Sequence, residues 1–153
     1  MMDDADEALD EISNPTVTYV VFDAATGQIL QTKNGSLRTY GVGRRAGTDR
    51  LIIPEGVLDA GYDQTHYVDI AERAMLERPV ISVLSTELTA DGIDELSFAV
   101  PAETAVRVEG VDYGVVDDGA FVFAATMPAA YAIELLPPFP CCPLSVVVTA
   151  NAP

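Results

Sequence analysis

From Pro79 onward the chain is cut into short apolar runs at close, regular spacing, and this punctuation limits its fold more than any other feature. PVISVLS is followed by the loop TELTADGIDE, then by LSFAV (96–100), AVRVEG (105–110), VDYGVV (111–116), FVFAAT (121–126), YAIELL (131–136) and LSVVVTA (144–150). The turns PAET, DDG and MPA and a proline-rich loop lie between them. The runs are rich in β-branched and aromatic residues and show no 3.6-residue period, so they read as strands. Alternation agrees. Phe121 and Phe123 share one face, as do Tyr131, Ile133 and Leu135, while Glu134 points the other way.

This pattern predicts an all-β chain in which residues 79–153 form an immunoglobulin-like antiparallel β-sandwich. Residues 15–78 read as a separate small β-domain. TVTYVVF (16–22) is turned back by DAATG into QILQT (28–32), and Asn34-Gly35 has the composition of a two-residue hairpin turn leading into a strand SLRTYGV (36–42). LIIP (51–54), a loop with Gly56 and Gly61, and HYVDI (66–70) follow. Residues 69–78 read as strand–turn–strand, with a single helical turn as the alternative, because Asp69 and Glu72 have capping-box spacing. Residues 1–14 form an acidic leader, either disordered or a short helix using Leu9 and Ile12.

Charge is spread unevenly through the 153 residues, whose net charge is −16. Residues 1–11 carry six acids and no base; residues 12–78 carry eight acids and seven bases; residues 79–153 carry ten acids and only Arg107. Nucleic acid is a poor partner for such a chain, since phosphate binding needs a basic patch. No apolar run approaches the ~18 residues of a membrane span. The opening MMDDADEALDEI is acidic where a signal peptide carries positive charge.

One segment breaks the pattern. Between Asp23 and Asp49 there is no acid, while Lys33, Arg38, Arg44 and Arg45 lie inside and Arg50 just beyond. These five residues are the candidate partner-binding set. A solvated loop balancing nearby acids, a docking patch for an acidic surface such as the tail 1–11 of a neighbouring copy, and a phosphate site are the three readings. YGVGRRAG in the same segment is one residue too long for a dinucleotide fingerprint, and TDRLIIPEG after it is extended, so nucleotide binding is rejected.

Candidates for chemistry are few. His66 is the only histidine and reads as structural. Asp91, Asp94 and Glu95, and separately Asp117 and Asp118, read as solvated turn carboxylates, with a weak calcium site as the alternative, since the EF-hand register is absent. Cys141 and Cys142 are adjacent and read as small apolar residues in the loop LPPFPCCPL or as a bridge to another chain. No catalytic residue, metal ligand or cofactor is expected, and the chain reads as a non-enzyme.

The residues carry a resemblance. YVVFDAATGQIL, then IIPEGV, then THYVD and ERP resemble the N-terminal part of small virion-associated proteins encoded among tail genes of double-stranded DNA bacteriophages. DGAFVFAATMPAAYAIEL resembles a pattern of bacterial and phage immunoglobulin-like modules, although MPAAY lacks the glycine of the usual P-G-x-Y turn. The resemblance implies a structural component of a virion, of tail or tail-fibre position, with other virion proteins or copies of itself as partners. A tail-fibre assembly chaperone absent from the mature particle, and a carbohydrate-binding or adhesin module contacting host-surface glycan, are the alternatives.

Overall fold

The computed structural model describes residues 14–54 and 61–153. The expected forms of the leader, of the Gly56 loop and of part of IIPEGV fall largely or wholly outside these residues. Among the described residues the fold is nearly all β, 52% strand and 6% helix. The chain divides into two compact units, the first running through Glu77 and the second from Arg78 to Pro153.

In the first unit β1 (Thr16–Asp23) pairs with β2 (Ile29–Ser36) on one side and β3 (Thr48–Ile53) on the other, both antiparallel. DAATG makes the β1–β2 turn through local bonds. Asp23 Oδ1 accepts from the Ala25 and Thr26 amides at 2.8 and 3.0 Å, and Gly27 N donates to Asp23 O at 2.8 Å. A second antiparallel pair, β4 (His66–Asp69) and β5 (Ala74–Glu77), confirms the strand–turn–strand path, with Asp69 Oδ1 accepting from Glu72 N inside the turn. Val20, Phe22, Ile29 and Ile53 from the sheet pack with Tyr62 and Val68 to form the core of this unit.

The strand expected at 36–42 is not formed, and Asn34-Gly35 is not a turn. Asn34 and Gly35 lie within β2, opposite Thr18 and Val17. The DAATG turn sets the register, and the ladder then continues to Ser36 without a second reversal. The Thr18 hydroxyl donates to Asn34 Oδ1 across the pair. Ser36 then caps a helical turn, α1 (Leu37–Tyr40), its Oγ accepting from Thr39 N at 3.2 Å.

The second unit holds a five-stranded sheet in the order β6-β12-β11-β8-β9 and a two-stranded sheet β10-β7. Its strands are β6 (Glu87–Thr89), β7 (Glu95–Ala99), β8 (Thr104–Val108), β9 (Val111–Val116), β10 (Ala120–Ala124), β11 (Ala129–Leu136) and β12 (Leu144–Asn151). The two sheets make this unit a β-sandwich-like fold. Phe98, Val106, Ile133, Leu135 and Val148 fill the space between the sheets. Tyr131, two residues before the buried Ile133, donates its hydroxyl to Met127 O at 2.9 Å, the tyrosine corner of such sandwiches. The corner forms although MPAAY has no glycine.

One expected strand moves. PVISVLS (79–85) has no ladder partner, and β6, placed in the expected loop TELTADGIDE, pairs in parallel with β12. The run is held differently: Ile81 enters the core and Cys142 N donates to Pro79 O at 2.8 Å. Arg78 closes the proline-rich loop, donating from Nε to Pro140 O at 2.8 Å, with its guanidinium 5.2 Å from the Phe139 ring centre.

Candidate functional site

Period-2 alternation divides the first sheet into two faces. Val20, Phe22 and Ile53 face the core. The register places Tyr19 opposite Lys33, and Val21 opposite both Gln31 and Arg50, so these side chains share the other face. The segment 37–47 lies over that face. The Tyr40 ring meets Tyr19 edge-on with centroids 5.3 Å apart, and Tyr40 donates its hydroxyl to Arg50 O at 3.2 Å.

Arg50 organises this cover. It is only 7% exposed. Its Nη1 donates to the carbonyls of Thr39, Tyr40 and Val42 at 3.1, 2.7 and 2.9 Å, and its Nη2 to Gly43 O at 3.0 Å. The guanidinium also lies 5.6 Å from the Tyr19 ring centre. An arginine fork suits this task because its five donors are rigidly splayed and its charge strengthens each bond. Arg50 therefore builds the loop, and its place in the candidate set is that of a supporting residue.

Asp49 ends the apparent freedom from acids. Its carboxylate takes Arg73 Nη1 at 2.8 Å and Arg44 Nη1 at 3.4 Å. The Arg73 hydrogen bond, reinforced by the Arg50 amide, holds the Asp49 carboxyl below the usual carboxylate range. Arg44 is thus balanced within its own unit. Among the described residues, Lys33, Arg38 and Arg45 meet no carboxylate.

Two of these three converge. A depression of about 270 Å³ is lined by Val21, Leu30, Gln31, Lys33, Gly43, Arg45, Thr48 and Arg50. Among the described residues its lining includes Lys33, Arg45 and Arg50 and no carboxylate. The Arg45 backbone at its rim is fixed, because Arg45 O accepts from Thr48 Oγ1 at 2.6 Å. Arg38 sits on α1, where its amide donates to Asn14 Oδ1 at 2.9 Å. Period-2 reading of β1 to β3 could have found the grouping of Lys33 with Arg50; the arrival of Arg45 from a loop had no sequence signal.

The other candidates make local contacts. The His66 ring stacks on Tyr62 at 4.0 Å, and its Nδ1 is hydrogen-bonded to Thr65 Oγ1 at 2.8 Å. Asp91 Oδ1 accepts from the Ile93 and Asp94 amides, both at 2.8 Å, and Asp94 Oδ2 from Thr89 N at 2.7 Å. The backbone donors hold the Asp91 carboxyl below its usual range. Asp117 and Asp118 likewise accept from the amides of Glu103 and Ala120. Among the described residues no group of three His, Cys, Asp or Glu side chains could hold a metal ion. Cys141 is buried in the sandwich core, and burial pushes its thiol pKa up; neither cysteine is in a disulfide. No helix among the described residues is long and apolar enough to cross a membrane.

A second concavity, of about 360 Å³, opens in the sandwich between β9 and β10 and is lined in part by Tyr113, Phe121, Phe123 and Tyr131. Tyr113 is 69% exposed.

Compared with protein families, curated proteins and solved structures, the chain shows no significant match to any of them.

Proposed function

We propose that this chain is a non-enzymatic structural component of a bacteriophage particle, associated with the tail or tail fibre, acting as an adaptor or decoration through protein–protein contacts. The phage assignment rests on the motif resemblance carried by YVVFDAATGQIL and THYVD. The contact assignment rests on one observation: in a chain of net charge −16, Lys33, Arg45 and Arg50 converge on one depression whose lining includes no acid. Complementary charge at such a surface fixes orientation and speeds encounter with an acidic partner. The arginine-built loop supports this reading, because a contact surface benefits from a rim held rigid before binding.

The test is the double variant Lys33→Glu, Arg45→Glu in purified particles analysed by mass spectrometry. Arg44 is left intact because Arg44→Glu would set a second carboxylate against Asp49 and disturb the loop itself. The folded double variant is expected to be absent from particles. Its normal incorporation would remove the depression from any role in assembly, and absence of the wild-type chain from particles would remove the virion reading.

The aromatic concavity favours a second reading, a glycan-binding module, since an exposed tyrosine beside a groove offers a sugar-stacking surface. Glycan-array binding lost on Tyr113→Ala would select it.

A further inference from the structure

The second unit carries a strand edge without a strand and a strand-like run without an edge. The edge is that of β10. At its two ends Val100 N donates to Gly119 O and Gly92 N to Ala125 O, both at 3.0 Å. Alternate residues of an antiparallel strand turn amide and carbonyl to the same neighbour, so Val122 and Ala124 turn theirs away from β7. Among the described residues β10 pairs with β7 alone, and AFVFA holds none of the charges or prolines that commonly blunt a free edge.

The sheet facing this edge is uncovered as well. Val111 of β9 pairs with the buried Val108 and so points to the same side, toward the other sheet, yet it is 58% exposed. Val108, Tyr113 and Phe121–Ala124 line the concavity of about 360 Å³. Because β9 lies one strand spacing, about 4.8 Å, beyond β8, the recess beside β10 has the width of a single strand.

The run is PVISVLS. Its Ile81 is buried, but among the described residues Ser82, Val83 and Leu84 join no ladder, and Leu84 is 89% exposed. It leads into β6, which forms the opposite edge of the five-stranded sheet from β9, about 19 Å away at four strand spacings. β7 is the strand of the small sheet that touches β6, so β10 turns its free edge from the run. Run and recess therefore cannot meet within one copy. Charge favours their meeting between copies. In a chain of net charge −16, residues 79–86 and 119–133 hold no charged side chain.

We propose that residues 80–85 of one copy add as a strand to the β10 edge of a second copy, with Leu84 seated in the concavity beside Tyr113. Backbone bonds to Val122 and Ala124 supply the attachment, and the apolar recess selects Leu84. Donor and acceptor are different surfaces, so the contact is head-to-tail and each added copy offers a fresh acceptor. Pairing of two β10 edges is blocked, because the projecting β9 of each copy would run into β8 of the other. The contact is independent of the cationic depression and of the virion reading.

Sedimentation of the full chain tests this. Wild type is expected to grow beyond a dimer as concentration rises, and to do so more readily in high salt, which screens repulsion between acidic copies. Leu84→Asp removes the donor and Tyr113→Asp the acceptor. Each is expected to weaken association at least about tenfold, since a carboxylate would be left unpaired in an apolar slot. Both positions are exposed, so circular dichroism should match wild type. Val122→Pro is a second acceptor variant, removing an outward amide at an edge where proline is tolerated. An equimolar mixture of Leu84→Asp with either acceptor variant retains one competent contact and should stop at a dimer. A wild type that stays monomeric, or a mixture that stays monomeric although wild type associates, would overturn the proposal. Association that weakens with salt would also overturn it, in favour of an ionic contact. Glycan binding lost on Tyr113→Ala in a chain that does not self-associate would assign the concavity to sugar instead.

Discussion

Gly27 is the position where one methyl group should do most damage. It closes the β1–β2 turn at φ +80°, and its carbonyl accepts from Val68 N at 2.9 Å, a backbone bond between the three-stranded sheet and the β4–β5 pair. A Cβ at Gly27 would lie 1.9 Å from Val68 O and 3.1 Å from Val68 C. Both are backbone atoms, so no side chain can rotate away, and the turn must lift off β4. The left-handed conformation costs an alanine about 1–2 kcal/mol. Stranding the Val68 amide adds about 1–3 kcal/mol. Gly27→Ala should therefore destabilise the first unit by about 2–5 kcal/mol, a large share of the roughly 5–15 kcal/mol that holds a small domain together. Gly43→Ala is the control: φ is +70° there, but nothing lies within 4 Å of the added carbon, so only the conformational cost of about 1–2 kcal/mol applies. Urea unfolding followed by circular dichroism, with amide exchange at Val20 and Phe22 reporting on the first unit, measures both. Equal losses in the two variants would refute the claim that backbone approach at Val68 fixes this turn.

Three other expectations concern side chains. Arg50→Met should unfold the 39–43 loop at a cost of about 3 kcal/mol or more, since several carbonyls lose a charged donor together; retained amide protection across 39–43 would refute the bracing role. Tyr131→Phe keeps the ring contact with Phe123 at 5.2 Å but loses the bond to Met127 O, so the sandwich should lose about 1 kcal/mol in thermal unfolding, and no change would show that the corner is only steric. Asp49 gives a pH signature. Its folded pKa is depressed, chiefly by Arg73, so its contribution is present above the unfolded value near about 4 and is lost as pH falls through the lower folded value. Wild type should therefore lose stability more steeply than Asp49→Asn below about pH 4, and parallel acid titrations would refute this.

The sequence by itself determined what depends on near neighbours. Asp23 bonds the amides two and three residues on, so DAATG reads as a turn from five letters. The runs from Leu96 to Ala150 are strands because their β-branched and aromatic content and the turn residues between them agree, which makes the stretch legible as antiparallel β. Tertiary structure decided whatever depends on a distant partner. Asn34-Gly35 has the composition of a turn, yet the register set at Asp23 gives it a ladder partner, and the longer ladder prevails. PVISVLS has strand composition, but β12 takes Glu87–Thr89 along its edge, a parallel pairing over some sixty residues that no local pattern announces. The cationic segment shows the same division. Its lack of acids is legible in the letters; the use of Arg50 as a brace, the balancing of Arg44 by Asp49 and the meeting of Lys33 with Arg45 are not. Turn chemistry acts over a few bonds and is written in adjacent residues, whereas burial and ion pairing depend on distances in space that exist only once the strands have found their partners.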